Sequence, residues 1–133
     1  MIRHHSLGSQ GYFWAPPGGG LDYGESTHEA LQREFLEETG LEIAVKRFLF
    51  VHEFLKKPLH GIELFFEVQV VGGVLKMGTD PEMTAQDQII DQVAFRSFAD
   101  ILAEPAECRH HLFSYCQNSA ELLAMHGHYQ FLK

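Results

Sequence analysis

Gly19-Gly20-Leu21-Asp22-Tyr23-Gly24-Glu25, then seven residues, then Arg33-Glu34-Phe35-Leu36-Glu37-Glu38-Thr39-Gly40-Leu41 is the stretch on which the reading of this chain turns. From Asp22 to Glu42, seven acidic residues (Asp22, Glu25, Glu29, Glu34, Glu37, Glu38 and Glu42) stand with one base, Arg33. That segment alone carries six of the eight net negative charges of the 133-residue chain. Ser26-Thr27-His28-Glu29 fits a capping box, in which the serine hydroxyl and the glutamate carboxylate each accept from the other's backbone amide. A helix is therefore expected from about Thr27 to Glu38, with Gly40 where a helix end favours a left-handed residue. On that helix Glu34, Glu37 and Glu38, three and four apart, share a face. Like charges so close repel and gain nothing by themselves. Clustered oxygen ligands suit Mg2+, which keeps water and substrate phosphate in its remaining positions. Arg33, four before Glu37, is placed to hold that carboxylate still. The plainer alternative is a solvated acidic helix face.

Outward from this stretch, the length and a hydrophobic content of 45% fit a single domain over residues 1–133 with one core. No apolar run is long enough to cross a bilayer, and Met1-Ile2-Arg3-His4-His5 lacks the apolar centre of a signal peptide. The expectation is a cytoplasmic protein with no membrane partner. Net acidity argues against a nucleic-acid partner, which calls for a basic face. Cys108 and Cys116 would lie about 12 Å apart on a continuous helix, too far for a disulfide.

Tyr12-Phe13-Trp14-Ala15 reads as a short strand ended by Pro16-Pro17-Gly18. Ile43 to Phe54 and Ile62 to Val71 are rich in β-branched and aromatic residues and read as strands joined by a loop from Lys56 to Gly61. Val74 to Met77 is expected to continue the sheet, Gly78 to Gln88 to form a loop, and Ile89 to Phe98 to form another strand. Ala106 to Met125 reads as helix, broken near Asn118-Ser119, and Tyr129 to Leu132 as a last strand. This order predicts an α/β fold, a mixed sheet flanked by helices. The pairing of His110-His111 with Cys108 lacks zinc-site spacing, and His126 and His128 are expected on the surface.

The segment Gly19 to Leu41 resembles, position for position, the signature of the Nudix hydrolases: Gly, five residues, Glu, seven residues, then Arg-Glu-apolar-any-Glu-Glu-any-Gly-apolar. All nine specified positions fit. The resemblance implies a Nudix-type α/β/α sandwich and hydrolysis of a nucleoside diphosphate linked to another moiety, a nucleoside triphosphate or a nucleotide sugar such as ADP-ribose. It implies Mg2+, with Mn2+ as a substitute, and a small-molecule nucleotide derivative as substrate. It identifies Glu34, Glu37 and Glu38 as metal ligands, with the Gly19 carbonyl added, and Arg33 as the residue orienting the glutamates. Gly20, Glu25 and Gly40 become structural supports of the box. Glu37 or Glu34 is the first choice for the group that accepts the proton of water. Glu82, Asp87 and Asp91 are choices from a later loop, Asp87 best spaced before Val93-Ala94-Phe95. Arg3 and Trp14 are candidate substrate contacts, Trp14 with Tyr12 and Phe13 by stacking, although a core role is the competing reading for these aromatics. Lys46, Arg47, Lys56, Lys57 and Arg96 join Arg3 as candidate phosphate contacts.

Only 18 residues precede Gly19, so the first strand is expected to be shortened. Pro58, 17 after Leu41, lies close to a proline position associated with ADP-ribose hydrolysis, with a turn role as the alternative. The competing function is a catalytically silent Nudix-like module that binds a nucleotide and regulates a partner. Retention of every box glutamate weighs against it. Homodimerisation is an option that the resemblance carries and the residues do not specify.

Overall fold

The computed structural model describes residues 1–5, 10–78 and 89–132. Two three-stranded sheets organise them. In the first, β1 (Ile2–His5) lies between β2 (Tyr12–Ala15) and β5 (Ile90–Val93), antiparallel to both. In the second, the long β3 (Leu41–Lys56) pairs antiparallel with β4 (Leu59–Gly73) and parallel with β6 (His128–Leu132), which makes this sheet mixed. With the helices packed on them, the sheets form an α/β fold.

The helix α1 (Thr27–Thr39) has the predicted caps. The Glu29 amide donates to Ser26 Oγ at 3.2 Å and the Ser26 amide donates to the Glu29 carboxylate at 2.9 Å. Gly40 closes the helix at φ 72°, its N–H donating to the Leu36 carbonyl. A β-carbon there would sit 2.5 Å from the Val74 carbonyl oxygen, so both backbone hand and space call for glycine. Thr39, fully buried, donates to the Phe35 carbonyl and accepts from the Leu41 amide, linking the helix end to β3.

Several elements differ from expectation. The hairpin is tighter: Lys56 pairs with Leu59, leaving Lys57-Pro58 as the turn, with a cis peptide between them. Pro58 thus takes the turn role. Val74 to Met77 forms no strand. The strand read from Ile89 to Phe98 is confined to Ile90–Val93, and Ser97 then caps α2 (Phe98–Ala103). The stretch from Ala106 to Met125 is not one broken helix. It holds 3-10 turns at Ala106–Cys108 and His111–Ser114, then α3 (Ser119–Ala124) capped by Asn118. Helix-forming composition is overridden there by burial: Cys108, Leu112, Phe113, Cys116 and Met125 all turn inward. A continuous helix would gather Cys108, Leu112, Phe113 and Cys116 on one face but turn Met125 to the other. Leu112, Phe113, Cys116 and Met125 join Trp14, Leu49, Phe50 and Ile101 in one core cluster. Cys108 and Cys116 are buried free thiols.

Candidate active site: a carboxylate array and a second acidic end

The Pro17-Gly18-Gly19-Gly20 loop lies against the acidic face of α1, and Arg33 ties the two together. Its Nη2 donates to Glu25 Oε1 at 2.7 Å and to the Gly20 carbonyl at 3.0 Å. Its Nε donates to Glu25 Oε2 at 3.0 Å. Its Nη1 donates to both Glu34 and Glu37, each at 3.1 Å. Asp22 adds an ion pair at 3.4 Å, and its amide donates to Glu25. The Arg33 hydrogen bonds and the Asp22 amide hold the Glu25 carboxyl down at about 2, and the surrounding carboxylates raise the pKa of Arg33. A rigid fork of five donors is suited to this work.

Glu38 is only 5% exposed. A buried carboxylate needs a partner, and Glu38 Oε1 accepts from the Gly18 amide at 2.8 Å. Gly19 faces Glu34 so closely that a β-carbon on residue 19 would overlap the Glu34 carboxylate. Gly20 is open, and serves through its carbonyl. The helix face and the glycine loop therefore present oxygens, from Glu34, Glu37 and Glu38 and from the loop backbone. Such a donor set fits a hard divalent cation, and the Gly19–Glu34 contact is a cradle that any larger residue would fill.

A cavity of about 600 Å3 opens beside this array. Gly19, Gly20 and Glu34 line one part of it, Leu31, Phe35, Leu64 and Phe66 form apolar wall, and Glu63 and His110 also line it. Its volume is ordinary for a small-molecule site.

Arg3 and Trp14, offered by the sequence as substrate contacts, are placed elsewhere. Alternation along β1 sends Ile2 and His4 to the cavity and leaves Arg3 on the opposite face. Arg3 there makes a two-point pair with Asp91 at 2.8 and 3.1 Å. Trp14 is 2% exposed, in the core, and the Arg96 guanidinium covers its ring at 4.6 Å. Neither residue lines the cavity. Arg47 is likewise engaged, with Glu67. Asp87 and Glu82 lie outside the described residues.

Sequence reading missed a second group. His52 Nδ1 lies 2.7 Å from Glu63, and His110 Nε2 lies 3.0 and 3.1 Å from the two Glu63 oxygens. Among the described residues, these three side chains of metal-ligating type bring their ligand atoms within 4.8 Å of one another. A signal for half of it existed. A two-residue turn at Lys57-Pro58 pairs residues 52 and 63 directly. His110, grouped in the sequence with Cys108, joins instead with these two. His126 and His128 are exposed, as expected.

The family model of the NUDIX domain matches residues 1–112. A curated ADP-ribose pyrophosphatase of Methanocaldococcus jannaschii is 42% identical over 82 residues, covering 60% of this chain and 48% of the relative. The chain thus spans about half the length of that relative. No solved structure matches it significantly.

Proposed function

The chain belongs to the Nudix family, and from that premise we propose that it hydrolyses the diphosphate linkage of a nucleotide derivative, with ADP-ribose-like nucleotide sugars the leading substrate class. The observation that carries this reading is the Arg33-centred array, in which Glu34 and Glu37 share one guanidinium nitrogen over a glycine loop beside the cavity. The name of the relative supports the substrate class.

Glu34, Glu37, Glu38 and the Gly19 carbonyl would hold Mg2+ or Mn2+. A divalent cation bound there supplies Lewis acidity, offsetting diphosphate charge and lowering the pKa of water. Arg33 keeps Glu34 and Glu37 from splaying apart. Glu38, fixed on the Gly18 amide, fastens the loop to the helix. The apolar cavity wall excludes bulk water from the bound diphosphate, where electrostatic contacts are strengthened. Glu37 or Glu34 takes the proton from the attacking water as its oxygen bonds to phosphorus and the bridging oxygen leaves with the other phosphate.

Product release from canonical and oxidised nucleoside triphosphates, ADP-ribose, other nucleotide sugars, dinucleoside polyphosphates and NADH, each with Mg2+, Mn2+ or chelator, tests the proposal. Chelator-sensitive cleavage of one class is expected. Folded protein that cleaves none of them would shift the assignment to a nucleotide-binding module. Glu37→Gln should lower kcat by about a hundredfold or more with the fold retained.

A further inference from the structure

We propose that Glu63, gripped by His52 and His110, is a specificity-determining residue of the same cavity, accepting hydrogen bonds from an uncharged donor group of the nucleoside: its ribose diol or its exocyclic base amine. This rests on reading the cavity as the site of a nucleotide derivative.

The hydrogen-bond network assigns the ring tautomers. His110 Nδ1 accepts from the Leu112 amide at 3.1 Å, so the ring proton is on Nε2, where it donates to Glu63. His52 is fully buried, and its Nε2 has no partner. Its proton is therefore on Nδ1, donating to Glu63 at 2.7 Å. Two neutral imidazoles thus aim N–H groups at one carboxylate. Metal ligation through the same nitrogens would move each proton across its ring. At His110 it would collide with the Leu112 N–H, and at His52 it would become a buried donor without an acceptor. Both rings oppose a metal, although the trio has ligand-like spacing.

The grip is built into the fold. β-register sets His52 opposite Glu63, and the His110 amide donates to the Trp14 carbonyl at 2.9 Å, anchoring its segment to β2. The Glu63 side chain keeps 41% of its exposure and lines the cavity. Burial pushes its carboxyl up, but the hydrogen bonds from His110 and His52 outweigh this and hold it below the usual range. A carboxylate has about four acceptor sites. Two N–H donors occupy part of that capacity, and the remainder is open to a ligand.

Charge decides which part of the ligand belongs there. Phosphate is repelled by Glu63, whose two ring partners are neutral, and belongs at the cation-binding end by Glu34. The other end of the ligand meets Glu63, and only a hydrogen-bond donor satisfies it. Hydrogen bonds to a charged acceptor discriminate strongly, since a ligand lacking the donor leaves the carboxylate partly desolvated.

Calorimetric binding of ADP, inosine diphosphate and 2′,3′-dideoxy-ADP, with Mg2+, to wild type and to Glu63→Gln tests the proposal. Inosine diphosphate lacks the exocyclic amine and dideoxy-ADP lacks the diol, so the two arms separate the sources. For wild type, at least one analogue should bind about tenfold or more weakly than ADP. In Glu63→Gln, ADP should weaken to the level of that analogue and the difference should vanish. Equal wild-type affinities, no binding of any of the three, or discrimination preserved in folded Glu63→Gln would each overturn the proposal. Glu63→Asp, with the charge kept and the reach shortened, replaces the amide variant if that variant does not fold, and reduced discrimination is again expected. Sub-micromolar Zn2+ binding that Glu63→Gln abolishes would also overturn it. Discrimination without cleavage of any nucleotide would sink the hydrolase reading alone. Cleavage with discrimination unchanged in Glu63→Gln would sink this inference alone.

Discussion

One guanidinium serves four acceptor residues at Arg33, and its value lies in shape as much as charge. Lysine would keep the charge but lose the fork that reaches Glu25, Gly20, Glu34 and Glu37 together. Arg33→Lys is expected to lower kcat by about a hundredfold while the circular dichroism stays native, because a misplaced reacting group is costly at that scale. Wild-type kcat in this variant would remove Arg33 from the positioning role. Gly19 is a complementary case. Any β-carbon there must displace the Glu34 carboxylate, a movable side chain, so Gly19→Ala should impair turnover and Mg2+ affinity far more than stability. Parallel measurement of Mg2+ dependence and thermal midpoint checks this: a large fall in midpoint with Mg2+ affinity unchanged would contradict it.

The next scale is that of the loop–helix–strand unit from Gly18 to β3. Its beginning is fastened by the capping box at Ser26 and its end by Gly40 and Thr39. Gly40 has no freedom to change, since a β-carbon would meet left-handed strain and the Val74 and Lys76 neighbours together. Gly40→Ala should cost about 1–2 kcal/mol and lower the thermal midpoint by roughly 5 °C or more. An unshifted midpoint would mean that the helix end re-forms without its left-handed residue. The β3–β4 hairpin is the other element that positions side chains at the cavity. Its two-residue turn sets the register that brings His52 to Glu63, so a one-residue change in the turn would break the grip without touching either side chain.

For the molecule as a whole, the C-terminal segment closes over the second sheet through aromatic contacts. His111 stacks on Phe131 of β6 at 3.7 Å and on Phe54 of β3 at 5.5 Å. Burial, its largest cause, lowers its pKa to about 4 from an ordinary 6.5. The folded state therefore holds His111 neutral while the unfolded chain already binds a proton. Stability from this group is complete above about pH 6.5 and is lost as the pH falls towards about 4, because the unfolded state binds more protons throughout that window. Urea unfolding between pH 7 and 4 should show a falling midpoint. His111→Phe, which keeps a ring against Phe131, should flatten that fall, and an identical slope in the variant would exclude His111 as its source.

Local hydrogen bonds and helical spacing made the loop–helix unit of the candidate site readable from the residues alone. The Ser26 cap, the Thr27–Thr39 helix, the Gly40 stop and the common face of the box glutamates depend on partners three or four positions away, and adjacent residues specify them. The α/β class and the long strand pair were likewise legible from composition and alternation. Tertiary structure alone decided which face of β1 holds Arg3, that Trp14 belongs to the core, and that the segment after Ala106 coils in 3-10 turns to bury its apolar side chains. It also decided that His110 meets Glu63 across 47 positions. Those outcomes depend on strand register and on packing between distant segments, where the free energy resides in contacts that no short window of sequence contains.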